Sequence, residues 1–235
     1  MRKLTATLCL TLALILGSLG VSWSADFQKG LTAYESGDYA TALHEWTPLA
    51  KQSNAPAQSN LGAMYEKGQG VPKNDMTAVK WYKLAAKQGY ANAQYNLGVM
   101  YRKGQGVPQD YETAVKWYKL AAEQVNVYAQ YNLGQMYRRG QGVSQNYKTA
   151  LKWYRLAAEQ GHAYAQTNLG VMYGIGKGVI KDWVYAHMWL NIAASSGNKN
   201  AVKKRNIFVK RMTPAQIAEA QRLARECVRK KYKGC

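Results

Sequence analysis

The chain reads as all-α, a solenoid of antiparallel helix hairpins without strands. Three observations predict this. A block recurs every 36 residues: Ala57-Gln58-Ser59-Asn60-Leu61-Gly62 returns at 93–98, 129–134 and 165–170. A Trp follows each copy at constant phase, as Trp81, Trp117, Trp153 and Trp189. Apolar residues within each copy recur at helical spacing, as Ala93, Leu97, Met100 and Tyr101 do. A fixed period in the range of about 20–50 residues marks a solenoid, whose units bury their apolar faces only against their neighbours.

In chain order, residues 1–24 read as a secretory signal. Arg2 and Lys3 precede an apolar run from Leu4 to Val21, and Ser22-Trp23-Ser24 offers small residues before a cut. Cys9 has too little apolar sequence before it to suit a lipoprotein. Residues 25–56 form a shorter hairpin that keeps Tyr34, Gly37, Asp38, Tyr39, Ala42 and Trp46 but lacks the later turn. Pro48 falls inside its second helix, where a kink is expected.

Four repeats follow, at 57–92, 93–128, 129–164 and 165–200. In the second, helix A runs from about Asn92 to Lys103 and ends at Gly104, which tolerates the left-handed C-cap. Gln105-Gly106-Val107-Pro108 makes the turn, and Asp110 caps helix B, which reaches about Gln124. Ala114, Trp117, Tyr118, Ala121 and Ala122 are its expected buried side, so the four Trp are expected in the core. Val125 stands where Gly89, Gly161 and Gly197 end the other B helices. Val resists the left-handed state, so a different corner is expected there. Residues 201–235 are expected as a C-terminal capping hairpin, its last helix opened by the capping box of Thr213-Pro214-Ala215-Gln216.

These motifs, Ala-x-x-Asn-Leu-Gly-x-x-Tyr, Gly-x-Gly-Val-Pro and Ala-x-x-Trp-Tyr-x-x-Ala-Ala, resemble the Sel1-like repeat (SLR) family, a relative of the tetratricopeptide repeat (TPR). The first hairpin is closer to a plain TPR unit. The resemblance implies a right-handed superhelical solenoid with A helices on the concave side. It implies an adaptor or scaffold, and the residues themselves suggest no cofactor, metal site or catalytic residue. By the same resemblance the residue before Leu-Gly faces the groove, which places Asn60, Asn96, Asn132 and Asn168 there, with Tyr95, Arg102, Tyr131, Gln135 and Arg138 beside them. An Asn amide both donates and accepts, as an extended peptide backbone requires, and Arg attracts carboxylates. The same Asn residues could instead fix the repeat geometry.

Composition narrows the partners. The net charge is +19. Residues 25–200 hold 19 Lys and Arg against 11 Asp and Glu, and residues 201–235 hold 11 against 2. In an exported protein this excess points to an acidic protein or peptide or to an anionic envelope surface rather than nucleic acid. No segment after the signal is long and apolar enough to span a membrane. Cys227 and Cys235 are a candidate disulfide in an oxidising compartment, provided the helix ends between them.

Catalytic signals are thin. Ser196-Gly197-Asn198-Lys199 matches a Ser-x-x-Lys pattern, but at a helix-ending turn. The glycines of 174–178 lack the Ser or Thr of a phosphate loop. His44, His162 and His187 share no metal-ligand spacing. The sequence thus indicates an exported adaptor, periplasmic or secreted, that binds a protein or extended peptide through its concave face. The alternative is a structural protein held on an anionic envelope surface by its basic C-terminus. A cell-wall or β-lactam hydrolase is the least supported class.

Overall fold

The computed structural model describes residues 27–235. The signal expected at 1–24 lies outside the described residues. Among the described residues there are twelve helices and no strand. The first, α1, covers residues 27–35. It is followed by α2 (Tyr39–Lys51), α3 (Ala55–Lys67), α4 (Asp75–Lys87), α5 (Ala91–Lys103), α6 (Tyr111–Glu123) and α7 (Val127–Arg139). The last five are α8 (Tyr147–Ala158), α9 (Ala163–Ile175), α10 (Trp183–Ser195), α11 (Lys199–Val209) and α12 (Pro214–Arg229). They form two compact units, one reaching Met100 and including Gly104–Pro108, the other comprising Tyr101–Lys103 and Gln109–Cys235.

Helix ends follow the local chemistry. Each even-numbered helix from α2 to α10 begins at an Asp or Asn whose side chain accepts a backbone N–H of the first turn, as Asp110 accepts from Thr113 at 2.9 Å. The helices α3, α5, α7 and α9 stop at Gly68, Gly104, Gly140 and Gly176, all left-handed. Pro48 does not end α2, which continues to Lys51.

Val125 departs from expectation. It adopts φ +65° and donates to the Ala122 carbonyl at 3.0 Å, as Gly89 donates to Ala86. The corner is the same one, built with a β-branched residue in a backbone state that disfavours it.

The core also differs from the reading of the Trp residues. Trp81, Trp117 and Trp153 are only half-buried. The next residues, Tyr82, Tyr118 and Tyr154, are fully enclosed. The rotation of about 100° between neighbours on a helix allows only one of each pair to point at the facing A helix. Gly62 and Gly134 admit the ring that does: a Cβ on either would lie 2.7 Å from Tyr82 or Tyr154. In the fourth repeat Leu190 takes the Tyr position against Gly170.

Trp189 alone of the four is buried, because α12 lies on α10. The expected hairpin of 201–235 is thus arranged differently. Helix α12 packs chiefly on α10 rather than on α11, and Trp189, Ile192, Ala224 and Cys227 share one core. The capping box at Thr213 and Gln216 opens it.

Two contacts tie successive repeats together. The buried Gln of each Ala-Gln pair donates to a carbonyl of the preceding helix: Gln58 to Ala50, Gln94 to Ala86, Gln130 to Ala122 and Gln166 to Ala158, at 2.9–3.2 Å. Gln88 and Gln160 in turn donate to Gln58 and Gln130 at 2.7 Å. Ser196 stands at the next such position, and the Gln166 Oε1 is buried without a partner. The second glycine of each turn rests on the first turn of an earlier helix, Gly106 on Asp75 and Gly142 on Tyr111, where a Cβ would approach backbone atoms to 2.3 Å.

Candidate functional site

The sequence places its candidate residues on the A helices. Asn60 lies on α3, Tyr95, Asn96 and Arg102 on α5, Tyr131, Asn132, Gln135 and Arg138 on α7, and Asn168 on α9. All are half-buried, so each shows part of its side chain to solvent.

On α7 the structure joins three of them. The Gln135 amide donates to the Tyr131 hydroxyl at 2.8 Å. Arg138 donates to the Gln135 Oε1 at 3.0 and 3.1 Å and to the Tyr154 hydroxyl at 3.3 Å. Tyr154 also donates to that Oε1 at 2.9 Å. Burial pushes the Tyr154 hydroxyl up to about 12 against the opposing pull of Arg138, so it stays protonated and donates. The helix spacing of 131, 135 and 138 puts the three on one face, and the network fixes the Arg138 guanidinium there through its Nε and Nη2.

The other candidates are not drawn into this network. Asn132 donates to the Tyr128 carbonyl of its own helix at 2.9 Å, so its amide is partly occupied. Asn60, Asn96 and Asn168 have no side-chain partner among the described residues. Arg102 donates to the Tyr118 hydroxyl at 3.2 Å, repeating the Arg138–Tyr154 geometry. In the first unit Glu66 holds the equivalent place and accepts from Tyr82 at 2.7 Å.

Sequence reasoning missed an aromatic cluster beside Tyr131. The His162 ring stacks on Tyr131 with centroids 4.6 Å apart and meets Tyr128 edge-on at 5.7 Å and Tyr164 at 6.1 Å. Tyr128 and Tyr164 are 55% and 62% exposed, a large aromatic area left in solvent. Their separation by one period was the available signal. His162 caps α9: its Nδ1 accepts the Ala165 N–H at 3.2 Å. That requires an unprotonated Nδ1, and burial holds the imidazole below its usual range.

Ser196 and Lys199 border an open cavity of about 400 Å³ with Tyr164 and Asn200. Ser196 spends its hydroxyl on the Ile192 carbonyl at 3.3 Å, a helix-end bond that gives it no activating base. Among the described residues no cluster of His, Cys, Asp and Glu could hold a metal, and no helix is long and apolar enough to cross a membrane.

A disulfide joins Cys227 and Cys235, with Cα atoms 5.6 Å apart. Helix α12 ends at Arg229, and the chain turns back through left-handed Lys231, Tyr232 and Gly234. The turn reaches the α8–α9 corner, where Tyr232 lies against Gly161.

Comparison with known proteins agrees with this architecture. The Sel1 repeat model matches residues 55–90, 91–126, 127–162 and 163–198. The protective antigen c5321 of uropathogenic Escherichia coli, which displays an SLR fold, is 34% identical with a TM-score of 0.77 over 87% of this chain and 46% of that one. A Sel1 repeat protein from Oxalobacter formigenes is 36% identical with a TM-score of 0.69, over 86% of this chain and 75% of that one. A third, from Klebsiella pneumoniae, shares the fold at 21% identity and a TM-score of 0.53, over 80% and 93%. The chain spans less than half the length of the E. coli antigen. No curated protein matches it significantly. Sel1 repeat proteins generally act as scaffolds for protein–protein interaction and typically are not enzymes. With four matched repeats over more than half its length, the chain belongs to the Sel1 repeat family.

Proposed function

We propose that this protein is an exported adaptor that binds an extended segment of a partner protein along its A helices, on the side the family resemblance makes concave. The observation that carries this reading is the α7–α9 surface. Exposed Tyr128 and Tyr164 flank a fixed Tyr131–Gln135–Arg138 network. Tyr rings give contact area at low entropic cost, and a pre-positioned Arg fork suits a carboxylate. Export rests on the layout of residues 1–24 and places the adaptor in the periplasm or outside the cell.

A photo-crosslinking residue at position 164, compared with one at the exposed position 76, tests the surface in cells. The reading predicts a discrete adduct from 164, lost in Tyr131→Ala plus Arg138→Ala. Equal adducts from both positions, unchanged by the variants, would exclude it. Fractionation and N-terminal sequencing of the mature protein test the export.

The second reading, adsorption to an anionic envelope surface, is favoured by one observation. Both carboxylates of α12, Glu219 and Glu226, are engaged by Arg222. Arg225, Arg229, Lys230, Lys231 and Lys233 remain exposed and outside any ion pair among the described residues. Adsorption of this kind falls steeply with salt, whereas an aromatic and amide surface loses less.

A further inference from the structure

The structure contains a worked example of how the outer side of a B helix is covered. On α10, Trp189 and Ile192 are each 1% exposed, beneath α12. The equivalent residues one and two repeats earlier are Trp153 with Leu156 and Trp117 with Leu120. Nothing among the described residues lies over them as α12 lies over α10. Leu120 is 44% exposed and both Trp are half-exposed.

Composition shows the same division. Where α6 and α8 carry Lys116, Lys119, Lys152 and Arg155, α10 carries Met188 and Asn191. The covered helix has lost its charges, and the uncovered ones keep a cationic fringe beside an apolar stripe.

Two further features mark the uncovered face. A cavity of about 570 Å³ opens there, lined by Val125, Trp153, Leu156 and Lys233 and also by the carboxylates Glu123 and Glu159. Val125 is 62% exposed on its rim and held at φ +65°. An apolar residue held in a strained backbone state with little burial to offset the strain is a pattern that belongs to functional surfaces.

We propose that this α6–α8 face docks an acidic amphipathic helix of a partner protein, laid over Trp153 and Leu156 as α12 is laid over Trp189 and Ile192. The apolar stripe sets the register. The exposed Lys116 and Lys152 select the charge: Lys152 lies 5.8 Å from the Trp153 ring centre, and neither is in an ion pair among the described residues. A second copy of the chain is a poor occupant, since each carries a net +19. This surface is separate from the A-helix surface proposed above, and the two stand or fall independently.

The probe is a labelled peptide of residues 213–229 carrying Cys227→Ala with Arg222→Glu, Arg225→Glu and Arg229→Glu, titrated with the full chain by fluorescence anisotropy. The expected result is saturable binding, at least about tenfold tighter than for the same peptide with its Arg residues kept. Lys116→Glu plus Lys152→Glu should weaken it about fivefold, and Trp153→Ala about tenfold or more. Val125→Gly should weaken it while the fold becomes more stable, which separates docking from folding. Tyr131→Ala on the A-helix side should leave it unchanged. Absence of saturable binding, indifference to the Lys and Val125 variants, or equal loss in Tyr131→Ala would each overturn the proposal. So would a dimer seen by sedimentation and abolished by Trp153→Ala, which would make a second copy the occupant.

Discussion

Tyr154 lies against the bare Cα of Gly134, so close that a Cβ there would come within 2.7 Å of its ring. Gly134→Ala should therefore cost about 1–3 kcal/mol, the usual effect of overpacking. Tyr154→Ala should cost about 3–5 kcal/mol, as deletion of an enclosed aromatic does. Trp153→Ala should cost clearly less than either Tyr118→Ala or Tyr154→Ala, although Trp is larger. Urea denaturation of the four variants checks the order, and a Trp153 loss equal to the Tyr losses would contradict the core described above.

Val125→Gly should raise stability by about 1 kcal/mol. The left-handed backbone suits Gly, and the exposed Val side chain gives little packing in return. Gly161→Val, at the equivalent corner, should lower stability by at least as much, because Tyr232 lies against that Cα. Thermal unfolding of both reads the sign directly.

Two imidazoles make stability depend on pH. Burial depresses His162, and burial followed by the nearby Arg205 depresses His187, which is 3% exposed with an unpartnered Nδ1. A histidine depressed in the folded state is protonated more readily in the unfolded chain. Stability from both is thus fully present above the ordinary value of about 6.5 and falls as pH drops through that value. His162→Asn should remove part of the slope between pH 7.5 and 5.5 while keeping the cap, since Asn54 and Asn126 fill the same role. An unaltered slope would show that His162 does not carry it.

The Cys227–Cys235 bond joins residues eight apart in sequence. Cys227→Ser plus Cys235→Ser should cost about 2–3 kcal/mol by the loop-entropy relation. It should also release Tyr232 from Gly161 and make the residues after Arg229 sensitive to trypsin. Mass spectrometry before and after reduction, with protease digestion, checks both.

Much of this was legible from residues. The helix pairs, the Asp and Asn caps and the stopping glycines each have a local chemical cause, so Asp110 and Gly104 could be placed from spacing alone. The inward residue of each Trp-Tyr pair could not. Both are large and aromatic, and the choice depends on Gly62 or Gly134 across the interface, a distant partner. Helix α12 was misplaced for a similar reason, although α10 carried the clue. Its sequence, Trp183 to Ser195, has no charged residue, as a helix covered on two sides requires. On the candidate surface, Tyr131, Gln135 and Arg138 come only from what the family resemblance implies, and the bonds that join them were not legible. His162, Tyr128 and Tyr164 were missed because they lie at the helix start, where phase arguments look for caps.

The paired links between neighbours make the 36-residue block an interchangeable part. Excision of residues 127–162 would join Asn126 to Ala163 and preserve a capping Asn at the start of the helix. Gln166 would then face the Ala122 carbonyl that Gln130 uses now, and Gly178 would meet the Tyr111 backbone that Gly142 occupies. Unequal recombination could therefore lengthen or shorten such a gene in whole blocks with every seam chemically intact, whereas an indel of another length inside a block would put at least one of the two links out of register.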